Sequence, residues 1–123
     1  MQPSEIRILV CDDSIMIQKK MESLLSAKGY TQIFSAKDGD AAVEAYKAYR
    51  PHIVFMDIVM PGKSGIEALT EIMTLDPKAK VVMASSIGTQ NNLKEAIEKG
   101  ACSFLQKPID DAQVMTVIKA VVG

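Results

Sequence analysis

Ile53-Val54-Phe55-Met56 is a run of four apolar residues that ends on Asp57 and continues as Ile58-Val59-Met60-Pro61-Gly62-Lys63-Ser64-Gly65. A short apolar run closed by a polar residue reads as a strand buried on both faces, which is the mark of a parallel sheet. Two more runs share the form, Ile8-Leu9-Val10-Cys11 and Val81-Val82-Met83-Ala84. Between them the apolar period lengthens to about 3.6, the period of a helix. Helices are predicted over 14–28, 38–49, 65–75 and 89–99, and at the C-terminus, where Val114, Val117, Ile118 and Val121 follow i, i+3, i+4, i+7. Weaker strands at 32–35 and 103–106 complete the alternation.

Capping chemistry agrees with these limits. Asp13 or Ser14, and Asp38, can accept from free N–H groups at helix starts, while Gly29 and Gly100 suit the left-handed position after a helix end. Five strand–helix units in series, each crossover right-handed, wind a sheet with helices on both faces. The predicted class is therefore a doubly wound α/β domain with its site at the carboxyl ends of the strands. No repeat, low-complexity tract or linker interrupts it, so 1–123 reads as one domain.

Composition excludes several classes of function. With 14 Lys+Arg against 15 Asp+Glu the formal charge is −1, so there is no cationic excess for a nucleic-acid backbone or an anionic membrane surface. At 48% hydrophobic and 24% charged the chain can bury a full core. No apolar run exceeds the four-residue ones above, far short of the ~18 residues a membrane helix needs. Met1-Gln2-Pro3-Ser4-Glu5 lacks the basic and apolar segments of a secretory signal, so a cytoplasmic location is expected. Cys11 and Cys102 each lie in or beside apolar sequence and are read as small buried hydrophobes. His52, in Arg50-Pro51-His52, is read as a solvated loop residue. Met16 and Met21 in the first helix are read as adaptable core filler, and of the adjacent pair Met16 and Ile17 one is expected in the core.

Polar residues end the strands where the site should lie. Asp12 and Asp13 follow the first, Asp57 closes the third, Ser85 and Ser86 follow the fourth, and Lys107-Pro108 follows the fifth. Each alone is an ordinary cap or turn residue. Three carboxylates on one rim repel by several kcal/mol at an effective dielectric of ~20 and so imply a cation. Oxygen ligands without His or Cys favour Mg2+, with Mn2+ as a substitute. Lys107 adds a fixed positive charge on the far side. A hard cation, a Lys and a Ser hydroxyl form a phosphoryl-binding set, and a carboxylate among them can be the nucleophile that forms an acyl phosphate. Asp57, on the central strong strand, is the candidate.

These residues resemble the response-regulator receiver domain, the CheY-like family. The resemblance covers the whole chain and rests on Asp12-Asp13, on Asp57 with Met60-Pro61-Gly62-Lys63-Ser64-Gly65, on Ser85, on Phe104 and on Lys107-Pro108. It implies a flavodoxin-like (βα)5 fold with strand order 2-1-3-4-5, in which the first and fifth strands lie about 14 Å apart, at ~4.8 Å per spacing, so that Cys11 and Cys102 cannot bridge. It implies that Asp57 is phosphorylated by a histidine kinase or a small donor such as acetyl phosphate. Asp13, Asp57 and the Val59 carbonyl would bind Mg2+, with Asp12 acting through water. Ser85 and Lys107 would contact the phosphoryl oxygens, and Lys107-Pro108 would be a cis peptide that aims the lysine. Phe104 matches the family's aromatic switch, set against a Phe packed in the core at all times.

By the same likeness the protein is a switch rather than an enzyme, catalysing only its own phosphotransfer and autodephosphorylation. Its partners would be a sensor histidine kinase, near Met16 and Ile17, and a downstream protein on the face of helix four, strand five and helix five, such as a flagellar motor switch or phosphorelay protein. The chain would be a monomer, with dimerisation on phosphorylation left open. Val59 and Ile87 are apolar where some members carry groups that assist an attacking water, so slow loss of the phosphoryl group is expected. The chain stops at Gly123 just after the last helix, which favours a stand-alone chemotaxis-type regulator over a receiver belonging to a longer DNA-binding or enzymatic protein. A metal-dependent phosphohydrolase with an aspartyl intermediate would need an Asp where Val59 stands. A flavin or nucleotide binder would need Ser, Thr or Gly amides in place of Asp12-Asp13.

Overall fold

The computed structural model describes residues 1–86 and 91–122. Five strands, β1 (Arg7–Cys11), β2 (Gln32–Ala36), β3 (Ile53–Asp57), β4 (Val81–Ser85) and β5 (Ser103–Gln106), alternate with five helices. The helices are α1 (Ile15–Ala27), α2 (Gly39–Tyr49), α3 (Gly65–Leu75), α4 (Asn91–Glu98) and α5 (Asp111–Val122). All strand pairs are parallel, in the order β2-β1-β3-β4-β5. The doubly wound class is thus observed, and each predicted element lies within two residues of its expected limits. The start expected for the fourth helix, at Thr89, falls outside the described residues.

Parity along the strands sorts the core into two layers. Leu9, Cys11, Val54, Met56, Val81 and Met83 face α2, α3 and α4, where Ala42, Tyr46, Leu69, Ile72 and Ala96 cover them. Ile8, Val10, Ile53, Phe55, Val82 and Ala84 face α1 and α5 and pack on Met21, Leu25, Val114 and Ile118. Burial on both faces is why β1, β3 and β4 are unbroken apolar runs. The edge strands β2 and β5 are only partly covered, so they tolerate Gln32, Ser35, Ser103 and Gln106 and read weakly.

Ser14 caps α1 by accepting from the Ile17 amide, and Asp38 caps α2 by accepting from the Ala41 amide. Ser64 and Glu67 form a reciprocal capping box on α3. Gly29 and Gly100 take the left-handed backbone after α1 and α4. Met21 is buried as expected, whereas Met16 is exposed; of the adjacent pair it is Ile17 that packs against the core.

Two further expectations are corrected. Cys102 is exposed, because it sits just before the edge strand β5 in an open groove along α5, whereas Cys11 on the inner strand β1 is buried. The three spacings between β1 and β5 keep the two thiols apart. His52 is not a free loop residue: its Nδ1 accepts the Arg7 amide at 2.9 Å, while the His52 amide donates to the Arg7 carbonyl at 2.8 Å. It closes the lower end of the β1–β3 ladder.

Only the neutral imidazole can accept that bond. Burial, then the Arg7 charge, holds the His52 pKa below its ordinary value. As pH falls below about 6.5 the unfolded chain therefore takes up the proton first. The contribution to stability is complete above that pH and fades as pH drops through the folded-state pKa. Thermal melts from pH 8 to 5 should show this loss, and His52→Asn, whose side-chain carbonyl still accepts, should flatten it. An unchanged slope in the variant would refute the assignment.

Candidate functional site

The carboxyl ends of β1 and β3 lie side by side, with Cys11 opposite Met56, so the residues that leave those strands meet. Asp12 and Asp57 are buried, at 3% and 8% exposure, and Asp13 is exposed. One carboxylate oxygen from each of the three lies within 4.8 Å of the others. At that separation two unit charges repel by about 3 kcal/mol at an effective dielectric of ~20. The backbone does part of the work of holding them. The Ser14 amide donates to Asp12 Oδ1 at 2.9 Å, and Asp57 receives a backbone hydrogen bond from Val59.

Lys107 does the rest, and it stands inside the cluster rather than on the far side expected from sequence. It is carried over from β5 on the cis Lys107–Pro108 peptide, and its Nζ lies 2.8 Å from Asp12 Oδ2 and 3.4 Å from Asp57 Oδ2. Burial alone would lower the lysine's pKa, but the hydrogen bond to Asp12 and the charges of Asp57 and Asp12 outweigh it and raise it. Asp57 is pushed above the ordinary carboxylate range by burial, against the pull of Lys107. One ammonium thus pairs with two of the three clustered carboxylates, Asp12 and Asp57. The all-oxygen donor set, with charge left over, fits a hard divalent cation such as Mg2+.

Ser85, at the end of β4, is fully buried, and its Oγ has no hydrogen-bond partner among the described residues. An unpaired buried hydroxyl costs roughly 1–3 kcal/mol. Phe104 on β5 is 51% exposed. This excludes a ring packed permanently in the core and leaves it outside, beside a shallow groove formed with Gln106, Gln113 and Val117. Val59 is exposed at the rim, while Ile87 lies outside the described residues.

One contact escaped the sequence reading. The Gln18 side chain donates to the Asp12 carbonyl at 2.7 Å and to the Ala36 carbonyl at 3.1 Å. A Gln in the first turns of an amphipathic helix carries no signal of its own. Only the placement of α1 across the ends of β1 and β2 reveals it.

The sequence pattern of the response regulator receiver domain matches residues 8–119. The chain is 42% identical over 117 residues to protein CcdB of Bacillus subtilis, covering 95% of this chain and 98% of that protein. It is 38% identical over 115 residues to the chemotaxis protein CheY of Thermotoga maritima, covering 94% and 96%. A chain of the CheX–CheY–BeF3–Mg2+ complex of Borrelia burgdorferi superposes with a TM-score of 0.89 at 35% identity, over 96% of this chain and 90% of its own. In longer proteins the likeness is partial: NtrX of Brucella abortus superposes with a TM-score of 0.87 at 32% identity, but only 27% of that chain is covered. Receiver domains are phosphorylation-controlled switches that bind Mg2+ through such an acidic pocket and interact with histidine kinases and downstream targets. The chain belongs to the response regulator receiver domain family and is closely related to CheY.

Proposed function

We propose that residues 1–123 form one receiver domain that accepts a phosphoryl group on Asp57 from a sensor histidine kinase and thereby switches its binding to a downstream protein. The observation that carries this reading is the convergence of Asp12, Asp13 and Asp57, two of them paired with the Lys107 ammonium, at the strand ends where the Ser85 hydroxyl is buried without a partner among the described residues. Asp12, Asp13, Asp57 and the Val59 carbonyl would hold Mg2+, which when bound neutralises charge on the transferring group.

An Asp57 carboxylate oxygen attacks the phosphorus of a phosphohistidine. A P–O bond forms as the P–N bond breaks, and the imidazole leaves with the electron pair. Lys107 exchanges its carboxylate partners for a phosphoryl oxygen, and Ser85 gains the acceptor it lacks. Drawing Ser85 toward the phosphoryl group opens the space into which Phe104 turns. That biases the face of α4, β5 and α5 toward one partner-binding arrangement. The Borrelia burgdorferi relative holds BeF3 and Mg2+ and pairs with CheX, which supports both the chemistry and a protein as the output. Identity of 38% over 96% of the Thermotoga maritima CheY supports a chemotaxis-type regulator.

Incubation with acetyl phosphate and Mg2+ should add one phosphoryl mass, about 80 Da, by intact-mass analysis. Asp57→Ala and EDTA should each abolish the gain. A folded protein that gains no mass, or a gain that survives Asp57→Ala, overturns the reading. The phosphoryl group should also be long-lived, because Val59 offers no polar side chain to orient water at the exposed rim. Dephosphorylation followed by mass should run several-fold faster in Val59→Asn than in the wild type, and an equal or slower rate would refute this role for position 59.

A further inference from the structure

We infer that Gln18 is a positioning residue for the acidic cluster, setting the direction of Asp13 and with it the affinity for a divalent cation. This rests on the metal-dependent reading of the site above. The three carboxylates are not held alike. Asp12 is tied by the Ser14 amide and Lys107, and Asp57 by Val59 and Lys107. The Asp13 side chain is exposed and has no hydrogen bond or ion pair among the described residues. Within the reach of its rotamers, its direction follows from where its backbone leaves the strand end.

That backbone is pinned by Gln18. The Asp12 carbonyl belongs to the rigid peptide plane that joins Asp12 to Asp13. Fixing its oxygen fixes the plane and the line along which Asp13 leaves it. Gln18 Nε2 donates to this oxygen at 2.7 Å and to the Ala36 carbonyl at 3.1 Å. The Ala36 carbonyl also accepts the Asp12 amide at 3.0 Å. The Asp12 residue is thus clamped at both of its peptide units to the end of β2, and the clamp is anchored in α1. Both acceptors are carbonyl oxygens, so only the NH2 of the Gln18 amide can face them. Beyond Ala36 the β1–β2 pairing ends.

The test measures Mg2+ affinity by titration calorimetry, with thermal melts in EDTA, on the wild type, Gln18→Met and Gln18→Glu. Met keeps length and helix preference but loses both donors. Partners that orient metal ligands are worth 10–100-fold in affinity, so Gln18→Met, verified as folded, should bind Mg2+ roughly tenfold more weakly. Gln18→Glu separates geometry from charge. An added carboxylate near the cluster would tighten Mg2+ binding if charge alone mattered, whereas an acceptor facing two carbonyl oxygens breaks the clamp and should weaken it. Affinity in Gln18→Met within twofold of the wild type, with only the melting temperature lowered, would assign Gln18 a purely structural role and overturn the proposal. Tighter binding by Gln18→Glu would also overturn it. A folded wild type that binds no Mg2+ would overturn this inference and the metal-dependent reading together.

Discussion

Gly65→Ala is expected to disable phosphoryl acceptance and to lower stability by about 3 kcal/mol or more, at the upper end of what overpacking costs. A Cβ at Gly65 would stand 1.9 Å from the Asp57 carbonyl oxygen and 3.0 Å from the Ile58 Cα. Both are backbone atoms at the end of the central strand and cannot swing away as a side chain would. The Gly65 amide also donates to the Ile58 carbonyl at 2.9 Å, so the start of α3 is bonded to the strand it would have to leave. Relief must come from shifting Asp57 or lifting α3 off the sheet, and either spoils the cluster.

Gly62→Ala is the internal control. Gly62 has φ 69° but nothing within 4 Å of a Cβ, so alanine there meets only the left-handed backbone penalty of about 1–2 kcal/mol. Melting curves and acetyl phosphate labelling should separate the two variants clearly. A Gly65→Ala protein that melts within about 2 °C of the wild type and labels at the same rate would refute the steric account.

The sequence shows Met60-Pro61-Gly62-Lys63-Ser64-Gly65 as a loop but not which of its glycines meets backbone, since close approach is a property of the folded chain. The same limit explains what else was and was not legible. The inner strands announce themselves because helices cover both faces, so Ile53, Val54, Phe55 and Met56 must all be apolar, and the register that ends on Asp57 follows. The edge strands were weak for the opposite reason, and Cys102 was misread because its place beside the sheet's edge strand is a fact of strand order. Asp12, Asp13, Asp57, Ser85 and Lys107 were found because a parallel sheet collects whatever ends its strands on one rim. His52 and Gln18 were not, because each serves a backbone group of another element: the Arg7 amide for one, the Asp12 and Ala36 carbonyls for the other. A side chain that satisfies backbone polarity on a distant element, unlike a local helix cap such as Ser14 or Asp38, carries no periodic or compositional trace.

Lys107→Met is expected to have opposite effects in the absence and presence of Mg2+. Lys107 is 18% exposed at its side chain, and its partners Asp12 and Asp57 are 4% and 10% exposed. Removing one partner of a buried ion pair leaves uncompensated charge and costs about 3–5 kcal/mol; here it leaves two carboxylates facing Asp13 with no counter-charge. In EDTA the variant should melt roughly 10 °C or more below the wild type. The same ammonium competes with any cation for the oxygens of Asp12 and Asp57, so its removal should tighten Mg2+ binding several-fold. Because ligand bound only by the folded state stabilises in proportion to the logarithm of its concentration over Kd, millimolar Mg2+ should raise the melting temperature of Lys107→Met more than that of the wild type. Melts across a Mg2+ series test both halves. If the variant is as stable as the wild type in EDTA, the pair is too well solvated to matter. If it binds Mg2+ more weakly, Lys107 is helping to shape the cation site rather than competing with the ion for it. The expected crossing follows from geometry alone: an ammonium 2.8 Å from one buried carboxylate and 3.4 Å from another stabilises the cluster until a stronger cation or a phosphoryl group draws it away.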